Sequence, residues 1–311
     1  MNKNDILKKL NLLIAACVIM TLLISCEKTG NSPNKKVKIT TTTTMLTDLV
    51  KTIGGDKVEV TGLMGEGVDP HLYSASARDI EKLANADIII YGGLHLEGKM
   101  TEIFDKLIHY NKNILNLGNK LDKSKIHLVE ENTPDPHVWF NTELWTQEAE
   151  AVEAELSRID PQNSSYYKEN LKKYKAELND LTNYVKSRIN EIPEKSRVIV
   201  TAHDAFYYFG EQFGLEVKAI QGVSTNSETG TKNISDLANF IAERNIKAIF
   251  VESSVPKKSI EALQEAVKAK GKEVKIGGEL YSDSLGDAAH NSETYIKTVK
   301  ANTDTIVNAL K

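Results

Sequence analysis

The sequence predicts an α/β protein with parallel sheets, built as two similar halves around one long helix. Three observations carry this prediction. From Val37 onward, short β-rich runs alternate with amphipathic helical stretches, the pattern of parallel strands covered by helices. The rhythm of the first half returns in the second. Between the halves runs an unbroken helical period of nearly thirty residues.

In the first half, strands are expected at 37–42, 57–61, 87–91 and 113–117, with helices near 45–53, 76–85 and 97–109. Gly54-Gly55 ends the first of these helices, and Ser76 with Asp79 forms a capping box for the second. In the second half, strands fall near 197–201, 216–220, 247–251 and 273–276. The helices fall near 204–213, 234–245, 257–270 and 292–309. Gly214 and Gly271 follow helix ends, and Pro256 precedes a helix start.

The middle stretch sets Tyr167, Leu171, Tyr174, Leu178, Leu181, Val185, Ile189 and Ile192 three or four residues apart. Asn163 or Ser164 caps its start and Pro193 stops it. At 1.5 Å per residue the helix is about 45 Å long. Its apolar stripe suits the backs of two lobes, and a single rigid connection of this kind resists wide hinge closure. The competing assignment is a coiled-coil dimer segment, but the seam covers only about three to four heptads and has globular halves on either side.

The first 26 residues point to export. Lys3, Lys8 and Lys9 precede an apolar run from Leu10 to Ile24, broken only by Asn11 and Thr21, a signal too short for a membrane span. Leu23-Ile24-Ser25-Cys26 looks like a lipobox, with cleavage before Cys26 and lipid attached to it. An ordinary signal peptide cleaved nearby is the alternative. The polar segment Glu27 to Lys36 reads as a flexible tether. The domain bounds are then 1–26 for the signal, 27–36 for the tether, 37–162 for the first lobe, 163–192 for the linking helix and 193–311 for the second lobe.

Composition narrows the chemistry. Cys17 and Cys26 are the two cysteines, one in the signal and one at the anchor, so neither a disulfide nor a thiolate metal site is available to the body. A net charge of -4 without a basic stripe argues against nucleic acid. Any metal must be held by His, Asp or Glu.

The seven histidines differ in placement. His71 and His137 each end an Asp-Pro-His tripeptide, Asp69-Pro70-His71 and Asp135-Pro136-His137. Proline holds the preceding Asp extended, which fixes the direction of the imidazole that follows. The Asp is placed to lock a ligating ring into one tautomer, although turn chemistry alone also accounts for the tripeptide. His203 follows the strand Arg197–Thr201, at the carboxyl end where open α/β sheets bind ligands. Asp283 lies past the strand ending at Ile276, on the corresponding rim. Three imidazoles and a carboxylate suit Zn²⁺, or Mn²⁺ if the Asp is bidentate. Ca²⁺, Mg²⁺ and Cu⁺ are disfavoured by the donor types. His95 could face the cleft; His109, His127 and His290 are expected on solvated surfaces. Glu252 ends a strand at the crevice and is expected to be a hydrogen-bonding partner rather than a ligand.

These residues resemble the metal-binding lipoproteins of ABC importers, the zinc- and manganese-binding solute receptors grouped as cluster A-I, over nearly the full length. The motifs are the lipobox, the paired Asp-Pro-His, Val200–Phe206, Ile249–Ser254 and Gly277–Asp283. The resemblance implies two (β/α)₄ lobes joined by the long helix, with His71, His137, His203 and Asp283 as the four ligands. Members regarded as manganese-selective commonly have Glu where this chain has His203, which leans towards zinc. The long His- and acid-rich loop of many zinc receptors is absent ahead of His137. The motif style is similar to the treponemal-type receptors.

The expectation is therefore an extracytoplasmic lipoprotein that delivers Zn²⁺ or Mn²⁺ to an ABC permease and its ATPase. It is expected to be monomeric, lipid-anchored through Cys26 and not an enzyme. A manganese-specific receptor is the alternative within the family; a metal-dependent hydrolase or a surface adhesin with a cell-adhesion role is the alternative outside it. The hydrolase lacks an HExxH pair and an open metal position.

Overall fold

The computed structural model describes residues 36–129, 132–226 and 231–311. The expected signal, Cys26 and all but the last residue of the tether lie outside them. Among the described residues no helix is long and apolar enough to cross a membrane.

The first half is a four-stranded parallel sheet of order β2-β1-β3-β4. Its strands are β1 Val37–Thr41, β2 Val58–Gly62, β3 Ile88–Tyr91 and β4 Ile114–Asn116. Helices α1 Thr44–Gly54, α2 Ala77–Asn85 and α3 Thr101–His109 alternate with them. The predicted capping box on α2 is present, with Ser76 Oγ accepting from Asp79 N while Asp79 Oδ2 accepts from Ser76 N. Ile88, Ile89 and Ile90 are all buried, as a strand covered on both faces requires.

Helix α4, Thr142–Ile159, was not anticipated. Asn141 caps it through the backbone N–H groups of Glu143 and Leu144. Leu144, Trp145, Ala149, Val152 and Leu156 make its buried face. That spacing is helical, but Glu148 and Glu153 lie on the same buried face and break the apolar stripe in the sequence.

Helix α5, Ser164–Ile189, is the predicted spine, 26 residues and about 39 Å long. Tyr167, Tyr174, Leu178, Leu181, Val185 and Ile189 are buried within the chain's own main core. The seam is thus filled intramolecularly, which removes the coiled-coil assignment. Asn170 Nδ2 donates to Ile53 O of α1 at 3.0 Å near one end of the spine. Near the other end Tyr184 and Arg188 bind Asp304.

In the second half, β5 Val198–Thr201 pairs in parallel with β6 Glu216–Ala219, and β7 Ala248–Glu252 with β8 Lys275–Leu280. β5 lies beside β7, so the two pairs form one layer in space although they are hydrogen-bonded separately. The helices are α6 Tyr207–Phe213, α7 Thr231–Arg244, α8 Lys258–Ala269 and α9 Tyr295–Leu310. β8 runs four residues beyond the expected 273–276. Gly277-Gly278 reads as a break, yet a Cβ on Gly277 would stand 2.7 Å from Ala309 Cβ and 2.9 Å from Ala248 Cβ. Glycine here lets α9 lie close on the strand. The two halves, their parallel strands and the spine make the mixed α/β architecture predicted.

Candidate metal centre

Every predicted ligand lies just beyond an ordered element. His71 sits in the segment between β2 and α2, and His137 immediately before a single helical turn, Val138–Phe140, that leads into α4. His203 is two residues past β5 and Asp283 three past β8. The structure brings all four together. Their candidate donor atoms lie within 4.8 Å of one another, and all four side chains are buried. The imidazole centroids form a triangle with sides of 5.2, 5.4 and 5.9 Å. Asp283 faces two of the rings, its Oδ1 3.4 Å from His137 Nε2 and its Oδ2 3.2 Å from His203 Nε2.

The two Asp-Pro-His turns are alike in backbone and different in side chain. In both, the Asp Oδ1 accepts the backbone N–H of the His, at 2.8 Å in the first and 2.9 Å in the second. Asp135 Oδ1 also contacts His137 Nδ1 at 2.7 Å, which keeps a hydrogen on Nδ1 and makes Nε2 the nitrogen that faces the cluster. Asp69 makes no such ring contact. Its Oδ2 instead accepts from Thr225 Oγ1 at 2.6 Å, a bond between the two halves. The expectation of ring-orienting aspartates therefore holds for Asp135 and fails for Asp69, whose carboxylate is turned towards the opposite half.

Glu252 orients the third imidazole. Its Oε1 accepts the N–H groups of Ala202 and His203 at 2.8 and 2.9 Å, which holds the segment after β5. Its Oε2 lies 2.6 Å from His203 Nδ1, close but too bent to be a full hydrogen bond. Two acceptors would repel at that distance, so Nδ1 carries a hydrogen and Nε2 is again the nitrogen that faces the cluster. The other histidines stay outside the cluster. His95, His109 and His290 are exposed. His127 is half-buried and stacks on Tyr207 with centroids 3.6 Å apart, where a solvated ring had been expected.

His71 Nε2, His137 Nε2, His203 Nε2 and Asp283 Oδ1 are buried without any hydrogen-bond partner. Leaving such groups unsatisfied costs about 1–3 kcal/mol each. Four of them converging on one point suits a cation site, because one metal ion could engage all four atoms at once. The electrostatics agree. Burial opposes protonation of His137, but the Asp135 and Asp283 carboxylates outweigh it and push the imidazole up to about 9. His203 is raised well above its ordinary range: burial works against this, and Asp283 and Glu252 prevail. Burial holds His71 down to about 3, partly offset by Asp283. Asp283 is held well below the usual carboxylate range by the two cationic imidazoles, against the opposing effect of burial. The cluster thus attracts positive charge, and an arriving metal replaces protons.

A tetrahedral zinc with bonds of about 2.0–2.1 Å needs its donors about 3.4 Å apart. Asp283 already meets that spacing with one oxygen on each of two rings, and since no two candidate donors are more than 4.8 Å apart, the farthest must draw in by at most about 1.4 Å. The residues around the cluster tie the halves together. Gly67 N donates to Ser284 Oγ at 2.9 Å, Leu285 N to Thr44 Oγ1 at 2.8 Å and Trp139 Nε1 to Ser282 O at 3.1 Å. Thr225, Ser284 and Ser254, whose hydroxyl reaches Asp283 Oδ2 at 3.2 Å, have no role assigned by the sequence, although Ser254 closes the motif Ile249–Ser254. Thr225 and Ser284 meet partners more than 150 residues away, which no local pattern signals.

Two α/β halves on a spine helix, with an all-His/Asp cluster enclosed between them, define a bilobal solute-binding protein. A family model described as zinc-uptake complex component A, periplasmic (ZnuA), matches residues 39–309, and the chain belongs to that family. It is 44% identical to the manganese-binding lipoprotein MntA of Bacillus subtilis over 303 residues, 96% of this chain and 99% of that protein. It is 46% identical to the zinc-binding protein TroA of Treponema pallidum over 275 residues, 88% of this chain and 89% of that protein. The solved structure of the treponemal protein superposes with a TM-score of 0.86, covering 89% of this chain and 99% of that one at 45% identity.

Proposed function

We propose that this chain is the extracytoplasmic receptor of an ABC importer for a divalent transition metal. His71, His137, His203 and Asp283 hold Zn²⁺ or Mn²⁺, zinc more tightly, between lobes 37–162 and 193–311. The observation that carries the reading is the convergence of three unpartnered Nε2 atoms and Asp283 Oδ1 at one buried point. Three imidazoles and one carboxylate favour zinc over manganese in the general affinity order. The names of the two relatives described above divide between manganese and zinc, so the donor set carries the ranking.

The lipid anchor on Cys26, the tether 27–36, the linking helix 163–192, the monomeric state and delivery to a permease and its ATPase belong to the same proposal. The lipoprotein relative and the signal-like first 26 residues support the anchor and tether, the α5 spine supports the linking helix, and relatives named as ABC transporter substrate-binding lipoproteins support the delivery. The protein has no catalytic role in this scheme. Four protein ligands leave no position for an activated water, and Glu252 is occupied with backbone N–H groups and His203. Metal enters, displaces the protons on His137 and His203, and contracts the cluster. The rigid α5 spine keeps the lobe movement small.

The test is competition titration of chelator-stripped protein with zinc and manganese, beside His203→Glu. Tighter zinc binding, shifted towards manganese in the variant, is expected. Comparable affinities would remove the zinc preference, and failure to bind either metal would overturn the proposal.

A further inference from the structure

The two oxygens of the Asp283 carboxylate are not equivalent. Both face the cluster, Oδ1 towards His137 Nε2 and Oδ2 towards His203 Nε2, but Oδ1 has no hydrogen-bond partner whereas Oδ2 also accepts the hydroxyl of Ser254 at 3.2 Å. Ser254 Oγ also lies 2.9 Å from Ser282 Oγ. A hydroxyl has one hydrogen, and the carboxylate can only accept. Ser254 therefore donates to Asp283 and accepts from Ser282, so the chain runs from Ser282 to Ser254 to Oδ2 in one direction. Trp139 Nε1 holds the Ser282 carbonyl at 3.1 Å, which fixes the base of this chain. Ser282 and Asp283 are buried. Ser254 follows Glu252 by two residues, so the turn after β7 positions both Asp283 and His203.

Resting on the metal-receptor reading above, we propose that Ser254 is a specificity-determining residue: its hydroxyl restrains Asp283 to one-oxygen ligation and so sets the preference for zinc over manganese. A hydrogen bond to Oδ2 withdraws donor strength from that oxygen and pins the rotation of the carboxyl group, leaving Oδ1 as the better ligand. Three imidazoles and one oxygen complete a tetrahedral shell, which zinc accepts. Manganese is harder and gains from further oxygen, so it needs the second carboxylate oxygen that Ser254 engages. Hydrogen-bond partners of metal ligands commonly change metal affinity by about 10–100-fold.

The experiment measures zinc and manganese dissociation constants of stripped protein by competition, in wild type, Ser254→Ala, Ser254→Cys and Ser254→Thr. X-ray absorption of bound manganese gives the coordination number. The hydroxyl-free Ser254→Ala should lower the zinc-over-manganese ratio about tenfold and raise the oxygen count around manganese. Ser254→Cys, a weak donor of similar size, should shift the ratio less, and Ser254→Thr should stay near wild type. An unchanged ratio and shell in Ser254→Ala and Ser254→Cys would overturn the proposal. Equal weakening of both metals would also overturn it, since Ser254 would then only hold Asp283 in place. If wild type binds neither metal, the receptor reading itself fails, a result separate from a wild type that binds and variants that do not shift.

Discussion

Glu252→Gln should weaken metal binding more than Asp135→Asn, although each removes one negative charge beside a ligating imidazole. Glu252 Oε1 accepts two backbone N–H groups, from Ala202 and His203, while Oε2 faces His203 Nδ1 at 2.6 Å. The glutamine must keep its carbonyl on the two N–H groups, because its NH₂ there would meet two donors. The NH₂ is then directed at Nδ1, which becomes an acceptor, and the hydrogen moves to Nε2 where the metal should bind. Asp135 differs: Oδ1 alone accepts both the backbone N–H and the Nδ1–H of His137, and Oδ2 has no partner. An asparagine keeps both bonds through its carbonyl and turns its NH₂ into the unpartnered position. Loss of an orienting partner costs about 10–100-fold in affinity, or about 1.4–2.7 kcal/mol. Glu252→Gln should fall in that range and Asp135→Asn below tenfold. Competition with a chromogenic chelator at fixed pH and salt measures both. Equal losses would show that charge matters and the tautomer does not; no loss in Glu252→Gln would refute the orientation argument.

Three further outcomes follow from the fold and the cleft. Burial, aided by the nearby Glu97 charge, pushes Glu148 up to about 8 from an ordinary 4.5. The folded state then binds more protons than the unfolded one between those values, so stability falls as pH rises across the interval, by at most about 5 kcal/mol. Glu148→Gln should flatten that fall in urea unfolding of metal-free protein at pH 5 and pH 8.5; an identical slope would contradict it. Thr225→Val removes the hydrogen bond to Asp69 Oδ2 without touching a ligand, and chelator-triggered metal release should accelerate about 2–10-fold. Unchanged release would mean that this bond does not hold the lobes together. Leu181→Ala on the spine, a fully buried side chain, should cost about 2–5 kcal/mol of stability and leave the metal dissociation constant unaltered, measured well below the unfolding temperature.

The parts of the fold visible in the sequence are those whose cause is local. Ser76 and Asp79 cap α2 through bonds three residues apart, and the α5 stripe repeats every three or four residues, so both are apparent without coordinates. α4 is hidden because its buried face includes Glu148 and Glu153, and ionisable residues placed in a core defeat a hydropathy pattern. β8 was cut short because Gly277, a strand breaker by itself, is required by the approach of α9.

The same distinction applies to the site. The four candidate ligands stand in short motifs at the ends of strands and turns. Asp135 and Glu252 have their roles through bonds to those motifs. By contrast, Asp69 reaches Thr225 across 156 residues, and Gly67 reaches Ser284 across 217. Such pairs exist only once the halves face each other. Nothing in the wording of Asp69-Pro70-His71 separates it from Asp135-Pro136-His137, yet one carboxylate turns to its own imidazole and the other to the opposite half.

The central claim is that one divalent metal binds at His71, His137, His203 and Asp283. X-ray absorption at the zinc edge, on stripped protein reloaded with one equivalent of zinc, tests it most directly. The account predicts one retained zinc per chain in a four-coordinate shell of nitrogen and oxygen at about 2.0–2.1 Å, with imidazole scattering. It also predicts that His137→Ala loses that shell. Zinc held with the same shell in His137→Ala, or not retained at all by wild type, would contradict it.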